Sequence, residues 1–132
     1  MCLALVVDDD PTQQRIISKL LQKIGIDVIV ASDGIEALEQ VQLTSPTLVI
    51  LDILMPRMNG DEVCQQLKSN QKTQALPVLV YSGQEQEFNL KTKKCSRADA
   101  YVSKTCHPQE LINAVNQLLG KSNRSPQLEV VS

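Results

Sequence analysis

Aromatic residues are scarce in this sequence, and so is an excess of charge of one sign. The 132 residues include no Trp, two Tyr and one Phe, too few for the stacking platform on which single-stranded nucleic acid binds. The formal net charge is only −2, and the lysines and arginines form no basic cluster of the kind that binds nucleic acid. The composition therefore argues against nucleic acid as a partner.

Long apolar runs are also missing. No stretch approaches the roughly 20 apolar residues that cross a bilayer. The chain starts with MCLALVVDDD, where a short apolar run without a basic leader passes directly into three acids, which favours a strand over a signal peptide. We therefore predict no membrane partner and a cytoplasmic location.

Soft metal ligands are few and poorly spaced. The four cysteines show no CxxC pattern and there is a single histidine, so neither a zinc site nor a redox pair is favoured. We expect the cysteines to be small apolar side chains in or near the core. The cysteines are Cys2, Cys64, Cys95 and Cys106, and the single histidine is His107.

Short aliphatic and β-branched runs alternate with segments of helical periodicity, which predicts five strands and five helices. The runs lie at residues 3–7, 28–31, 48–51, 78–81 and 100–102. Because the strands are continuously apolar, they should form a parallel sheet that is covered on both faces. The predicted fold is therefore a doubly wound α/β sandwich, built as one domain over residues 1–120 with a polar, flexible tail at 121–132.

The helical segments carry apolar stripes and end signals. We predict that Gly25 caps the first helix, that Pro108 lies in the first turn of the last helix and that Gly120 ends it. A fourth helix at Gln84–Lys94 has the weakest periodicity. The predicted apolar stripes of the first two helices are Ile16, Ile17, Leu20, Leu21 and Ile24, and then Ile35, Leu38 and Val41.

Polar residues follow the predicted strands at the edge where parallel α/β sheets carry their functional crevice. They are Asp8, Asp9 and Asp10 after the first strand, Asp52 after the third, Ser82 at the end of the fourth and Lys104 after the fifth. Carboxylates about 4 Å apart repel by roughly 4 kcal/mol per pair at an effective dielectric constant near 20. The cluster therefore predicts a hard divalent cation, and Mg²⁺ suits a site where a carboxylate also attacks phosphorus.

Each residue also has a structural interpretation. Asp9 alone would be a helix N-cap, Asp8 to Pro11 a βα turn and Ser82 a turn or cap residue. Lys104 would be a solvated strand-end lysine and Tyr101 a half-buried sheet residue. Asp52 has no obvious structural partner after the apolar run TLVIL. It is the occurrence of these residues together at successive strand ends that favours a functional site.

Four segments, VVDDD, LDILMPRMNG, LPVLVYSG and ADAYVSK, resemble the receiver domain of the two-component response-regulator family, which includes a small chemotaxis protein. The resemblance covers about residues 3 to 120. It implies a flavodoxin-like (βα)5 fold with strand order 2-1-3-4-5. It further implies that Asp52 is the phosphoacceptor and that Lys104 contacts the phosphate. Mg²⁺ would be bound by Asp9, Asp52 and the Leu54 carbonyl, and through water by Asp8. Ser82 and Tyr101 would be the switch residues.

Three positions depart from the family pattern. Thr105 follows Lys104 where the family usually has a cis proline, and a cis bond before a non-proline residue costs about 2.5 to 4 kcal/mol, so we expect a trans peptide. Leu54 and Gln84 differ from the fast-hydrolysing chemotaxis protein, which predicts slower phosphoryl loss. Ser82 replaces the commoner threonine but keeps the hydroxyl.

The resemblance predicts a stand-alone response regulator that catalyses only its own phosphoryl transfer and dephosphorylation. A histidine kinase or phosphotransfer protein would donate the phosphoryl group, and a target protein would bind the face formed by the fourth helix, fifth strand and fifth helix. The state would be a monomer or a phosphorylation-linked dimer.

Three alternative functions fit parts of this pattern. A pseudo-receiver would use the fold only as an interaction module, and Thr105 keeps this alternative open. An aspartate-nucleophile phosphatase expects a second acid where Leu54 stands. An FMN-binding flavodoxin needs a phosphate-binding loop rich in Ser, Thr and Gly, and Asp8 to Asp10 would repel its phosphate.

Overall fold

Strands and helices alternate along the described part of the chain. The structure, a computed structural model, describes residues 2–52, 60–82, 98–104 and 107–123. The strands are β1 (Leu3–Val7), β2 (Asp27–Ala31), β3 (Leu48–Leu51), β4 (Val78–Ser82) and β5 (Ala100–Ser103). The described helices are α1 (Pro11–Lys23), α2 (Gly34–Thr44), α3 (Gly60–Ser69) and α4 (Pro108–Asn123).

The five strands form one parallel sheet in the order β2-β1-β3-β4-β5. The predicted fold class and strand order are therefore confirmed. In the register, Val7 lies opposite both Ala31 on β2 and Leu51 on β3. The residues that follow Val7 and Leu51 consequently leave the sheet side by side.

Alternate residues of the central strands pack on opposite faces, as the period of two in a strand requires. Ala4 and Val6 belong to a core cluster with residues of α1 and α4, whereas Leu5 and Val7 belong to a second cluster with residues of α2 and α3. β1 and β3 are almost completely buried, but the edge strand β2 exposes Asp27 and Val30. Continuous burial thus holds for the central strands and not for the edge.

Capping residues define both ends of α1. Asp10 is the N-cap, and its side chain accepts a hydrogen bond from the backbone N–H of Thr12 at 2.9 Å. Pro11 follows as the first helical residue, where its missing N–H costs nothing. After the C-cap Ile24, Gly25 has φ of 86°, a conformation that glycine adopts without a steric cost. The predicted cap at Gly25 is therefore confirmed.

Parts of the predicted apolar stripes are wrong. Ile16, Ile24 and Ile35 are 45%, 37% and 41% exposed, whereas Ile17 and Leu21 are buried. In α1 the buried face is formed by Ile17 and Leu21, and apolar residues at the margins of the stripe stay partly in solvent. Periodicity therefore predicts the helix, but it does not predict how many of the apolar residues in the stripe are buried against the sheet.

The predicted end of the last helix is also wrong. The helix α4 does begin at Pro108, but it continues past Gly120 to Asn123. Glycine costs only about 1 kcal/mol relative to alanine inside a helix, and Gly120 does not take the left-handed conformation that would terminate it. Gly120 is therefore an interior residue.

Several predictions fall outside the described residues: the helix at 84–94, the tail at 124–132, and the residues Leu54, Gln84 and Thr105. Of the four cysteines, the structure describes a buried Cys64 and a half-buried Cys2, both as free thiols. Among the helices described, none is long and apolar enough to span a bilayer.

Candidate metal centre at the carboxyl edge of the sheet

Two buried aspartates extend the sheet by one residue beyond its regular strands. The backbone N–H of Asp8 donates to Ala31 O at 3.1 Å, and that of Asp52 donates to Val7 O at 3.0 Å. Since these bonds continue the ladders of β1 and β3, both carboxylates emerge at the same edge. The register of the parallel sheet therefore places the two acids next to each other.

Asp9 joins this pair. One carboxylate oxygen from each of Asp8, Asp9 and Asp52 can be chosen so that all three atoms lie within 4.8 Å of one another. Asp8 is only 1% exposed and Asp52 7%, whereas Asp9 is exposed. Acidic residues are almost never so deeply buried without a counter-charge or a metal, so the arrangement has the donor chemistry of a hard-cation site.

Lys104 supplies part of the counter-charge. It follows β5, and its Nζ lies 2.9 Å from Asp8 Oδ2 and 3.3 Å from Asp52 Oδ2. Asp8 Oδ2 is buried, and apart from this ion pair it has no hydrogen-bond partner among the described residues. That oxygen therefore keeps lone-pair capacity for a cation.

The pKa of Lys104 responds to two opposing influences. Burial of the side chain lowers the pKa, but the neighbouring carboxylates of Asp8 and Asp52 raise it more, so the net pKa lies above the ordinary 10.5. The ammonium is thus charged throughout the neutral range. Lys104 is a fixed positive charge at this edge of the sheet.

Residues 8–10, here called the acidic loop, are held by their own hydrogen bonds. Asp8 Oδ1 accepts from the backbone N–H of Asp10 at 2.9 Å, and Asp10 in turn caps α1. The N-cap is therefore Asp10 and not Asp9, so the structural interpretation of Asp9 as a cap is wrong. The carboxylate of Asp9 remains available for another role.

One further contact, made by Gln14, was not predicted from the sequence. Gln14 Nε2 donates to the backbone O of Asp8 at 2.6 Å. An amide side chain within a helix has no distinctive pattern, and only its position four residues after the cap Asp10 places it near the acidic loop. This contact was identified from the structure alone.

The other predicted site residues are described less fully. Ser82 ends β4 with its backbone in register with Ser103, but its side chain lies outside the described atoms. Tyr101 is half-buried and lies opposite Val80 in the sheet. Leu54 is not among the described residues. The structure thus brings together Asp8, Asp9, Asp52 and Lys104, and leaves the roles of Ser82, Tyr101 and Leu54 as predictions.

The parallel sheet of this order, with acids at the ends of its central strands, agrees with the receiver domain that the sequence motifs resemble. The chain matches the family model of the response regulator receiver domain over residues 4–116. The chain belongs to this family, as the sequence motifs predicted.

Among curated proteins, the chain is similar to two from Pseudomonas aeruginosa. It is 34% identical to protein PilG over 111 residues, which cover 84% of this chain and 82% of PilG. It is 30% identical to protein PilH over 90% of this chain and 98% of PilH. A further relative is longer: the regulatory protein PhoP of Bacillus subtilis is 36% identical, but the match spans only 48% of its length.

Solved structures show the same fold. The response regulator TrrA of Thermotoga maritima, determined in complex with Mg²⁺-BeF, superposes with a TM-score of 0.82 at 30% identity, over 89% of this chain and 99% of that one. The chemotaxis protein CheY4 of Vibrio cholerae gives a TM-score of 0.80 at 26% identity, over 89% and 98% of the two chains.

Proposed function

We propose that this receiver domain accepts a phosphoryl group on Asp52 in a Mg²⁺-dependent reaction and thereby changes its affinity for a partner protein. One observation carries the proposal. The Asp52 carboxylate is 7% exposed and lies beside a second buried carboxylate and the Lys104 ammonium. A structural ion pair needs one acid and one base, whereas a second buried carboxylate adds repulsion, and like charges brought together in this way are typical of functional sites.

The residues at this edge fit Mg²⁺. All three acids offer hard oxygen donors, which Mg²⁺ prefers. In formal charge, three carboxylates and one ammonium leave two negative charges, which one divalent cation balances. We assign Asp9 and Asp52 as direct ligands, Asp8 as a ligand through water and the Leu54 carbonyl as a further ligand. When bound, Mg²⁺ neutralises and orients phosphoryl oxygens.

The protein side chains then have separate tasks in the transfer. An oxygen of Asp52 forms the new bond to phosphorus while the P–N bond of a phosphohistidine breaks, and its electron pair stays on the imidazole nitrogen. Lys104, already beside Asp52, stabilises charge on the phosphoryl oxygens, and the Ser82 hydroxyl donates a hydrogen bond to one of them. The domain acts only on its own phosphoryl group in this scheme, including its later hydrolysis.

The same phosphoryl group would drive the switch. We propose that Ser82 moves toward it and that Tyr101 turns into the vacated space. The affected face would comprise residues 84–94, β5 and α4. A partner shifts the population only as far as its affinity differs between the two forms.

The partners follow from the chemistry. A histidine kinase or phosphotransfer protein would be the donor, and a target protein would bind the switched face, with the domain as a monomer or a phosphorylation-linked dimer. The free thiols of Cys2 and Cys64 suit the reducing cytoplasm. We assign the receiver to residues 1–120 and a polar tail to 121–132, of which 121–123 are still part of α4.

Intact-mass spectrometry after incubation with acetyl phosphate tests the proposal. The native protein should gain one phosphoryl group only when Mg²⁺ is present, and Asp52→Asn should gain none. Asp10→Asn is the matched control, since asparagine caps a helix as well as aspartate does and the same charge is removed nearby. No gain in folded native protein, with acetyl phosphate or a kinase, would leave a phosphorylation-independent interaction module.

A further inference from the structure

We infer that Gln14 is a positioning residue for the acidic loop and that it sets the affinity for the divalent cation. The inference rests on the proposed Mg²⁺ site. Gln14 is half-buried near the start of α1, and its Nε2 donates to the backbone O of Asp8 at 2.6 Å. Gln14 is not one of the acids that would contact the cation, so any effect on cation affinity must pass through the backbone of the acidic loop.

The direction of the Gln14 amide is fixed by its surroundings. Besides Asp8 O, Nε2 lies 3.4 Å from both Ala31 O and Ser32 Oγ. With the amide reversed, Oε1 would face two backbone carbonyl oxygens, which cannot donate a hydrogen bond. The side chain therefore joins the carboxyl ends of β1 and β2 through its N–H groups.

The carbonyl that Gln14 binds lies where the chain leaves the sheet and enters the acidic loop. The ladder between β1 and β2 ends with the bond from Asp8 N to Ala31 O, so the next carbonyl of β1, Asp8 O, lies beyond the strand pairing. Asp8 O belongs to the peptide that joins Asp8 to Asp9. Rotation about the Cα–C bond of Asp8 would move this carbonyl and the Cα of Asp9 together, so the Gln14 bond restrains the direction in which Asp9 leaves the sheet.

The side chain of Asp8 is held independently of Gln14. Its Oδ1 accepts from Asp10 N and its Oδ2 lies beside Lys104. Loss of the Gln14 amide should therefore displace Asp9 more than Asp8 or Asp52. The expected result is weaker cation binding in a domain that is still folded.

The size of the effect follows from comparable metal sites. Removal of a group that holds a metal ligand directly weakens affinity roughly 10- to 100-fold. Gln14 acts one peptide away from Asp9, so we expect Gln14→Met to raise the Kd for Mn²⁺ by about 3- to 10-fold relative to the native chain.

The experiment measures Mn²⁺ binding by the loss of the free-ion electron paramagnetic resonance signal, at a temperature where circular dichroism shows each variant folded. Gln13→Met is the matched control, since it makes the same substitution one residue away in a half-buried position of the same helix. Thr47→Val is the stability control. Thr47 Oγ1 bonds Leu3 N and Leu3 O at the opposite end of β1, so its loss should destabilise the fold without changing the Kd for Mn²⁺.

The outcomes separate the inference from the proposed function. A raised Kd in Gln14→Met alone supports the inference. Equal Kd values in Gln14→Met and Gln13→Met, with normal binding by the native chain, overturn the inference and leave the proposed function standing. Absence of Mn²⁺ binding by the native chain overturns both.

A second measurement needs no substitution and covers the case in which Gln14→Met fails to fold. Addition of Mg²⁺ to native, ¹⁵N-labelled protein should shift the side-chain amide resonances of Gln14 and leave those of Gln13 nearly unchanged. A site that fills with Mg²⁺ without moving the Gln14 resonances contradicts the inference.

Discussion

Lys104 balances two carboxylates that would otherwise be buried side by side without a counter-charge. Its Nζ lies 2.9 Å from Asp8 and 3.3 Å from Asp52, and its side chain is 19% exposed. Charges in such a position cost several kcal/mol each to remove from water, and the attraction between them offsets part of this cost. The same ammonium thus stabilises the metal-free fold and, under the proposed function, would also contact the phosphoryl group.

Replacement of Lys104 by methionine should lower the free energy of unfolding of the metal-free protein by about 2 kcal/mol. Breaking a fully buried ion pair costs roughly 3 to 5 kcal/mol, and partial exposure of Lys104 reduces this. Urea unfolding in the presence of a chelator measures the change. The control Lys19→Met removes an exposed lysine of α1 and should stay within about 0.5 kcal/mol of the native protein.

The stability difference between the native protein and Lys104→Met should depend on pH. Because the pKa of Lys104 is raised in the folded state, its stabilising contribution is fully present below the ordinary value of 10.5 and is lost as pH rises through the raised pKa. The difference between native protein and Lys104→Met should therefore be constant around neutrality and shrink in strong alkali. A difference that grows with alkaline pH would contradict the assigned ion pairs.

Asp9→Asn should have opposite effects on the metal-free and metal-bound protein. Removal of one acid relieves repulsion among three clustered carboxylates, so the metal-free variant should be at least as stable as the native chain. The same change should weaken Mg²⁺ binding by about tenfold or more, since loss of even an indirect partner of a ligand costs roughly 10- to 100-fold. Titration calorimetry and urea unfolding measure the two quantities.

Asp10→Asn provides the matched comparison for Asp9→Asn. It removes the same charge from the adjacent residue and keeps the helix cap. If both variants weaken Mg²⁺ binding equally, general electrostatics would explain the loss, and Asp9 would not be a ligand.

Among the secondary-structure elements, α3, β4 and β5 are linked by hydrogen bonds and an ion pair at the amino ends of the two strands, opposite the candidate site. Asp99, just before β5, accepts from the backbone N–H of Val78 at the start of β4 at 2.8 Å. The same Oδ2 lies 2.8 Å from Nζ of Lys68 in the last turn of α3, and Lys68 also donates to the carbonyls of Gln74 and Leu76. One carboxylate thus connects α3, β4 and β5 at their shared end.

Asp99→Ala should destabilise the fold by about 1 to 2 kcal/mol, because the N–H of Val78 loses its acceptor. Asp99→Asn keeps an acceptor oxygen and loses only a partly exposed ion pair, so it should cost less, about 0.5 to 1 kcal/mol. Urea unfolding of both variants measures the difference. Neither should change Mg²⁺ affinity, and a change would indicate that the two edges of the sheet are coupled.

At the scale of the whole molecule, the sequence predicted the fold well because parallel strands covered on both faces need apolar runs that few other structures require. The strand order came from the family motifs and is confirmed by the sheet. The width of each helix contact was not predictable, as exposed Ile16 and Ile35 show, because it depends on how the helix sits on the sheet.

The candidate site was predictable in part for a similar reason. Buried acids at strand ends have few structural explanations, so Asp8 and Asp52 were informative in the sequence, and the structure places them with Asp9 and Lys104. Gln14 was missed because a glutamine in an amphipathic helix is usually a solvated residue. Its contact depends on the three-dimensional path of the acidic loop, and the roles of Ser82, Tyr101 and Leu54 stay predictions.

Chemical trapping of the acyl phosphate identifies the phosphorylated residue itself. After treatment with acetyl phosphate and Mg²⁺, borohydride should reduce an aspartyl phosphate to homoserine, and peptide mass spectrometry then identifies the residue. We expect homoserine at position 52, dependent on Mg²⁺. Homoserine at Asp8 or Asp9, or none at any position in folded protein, would contradict it.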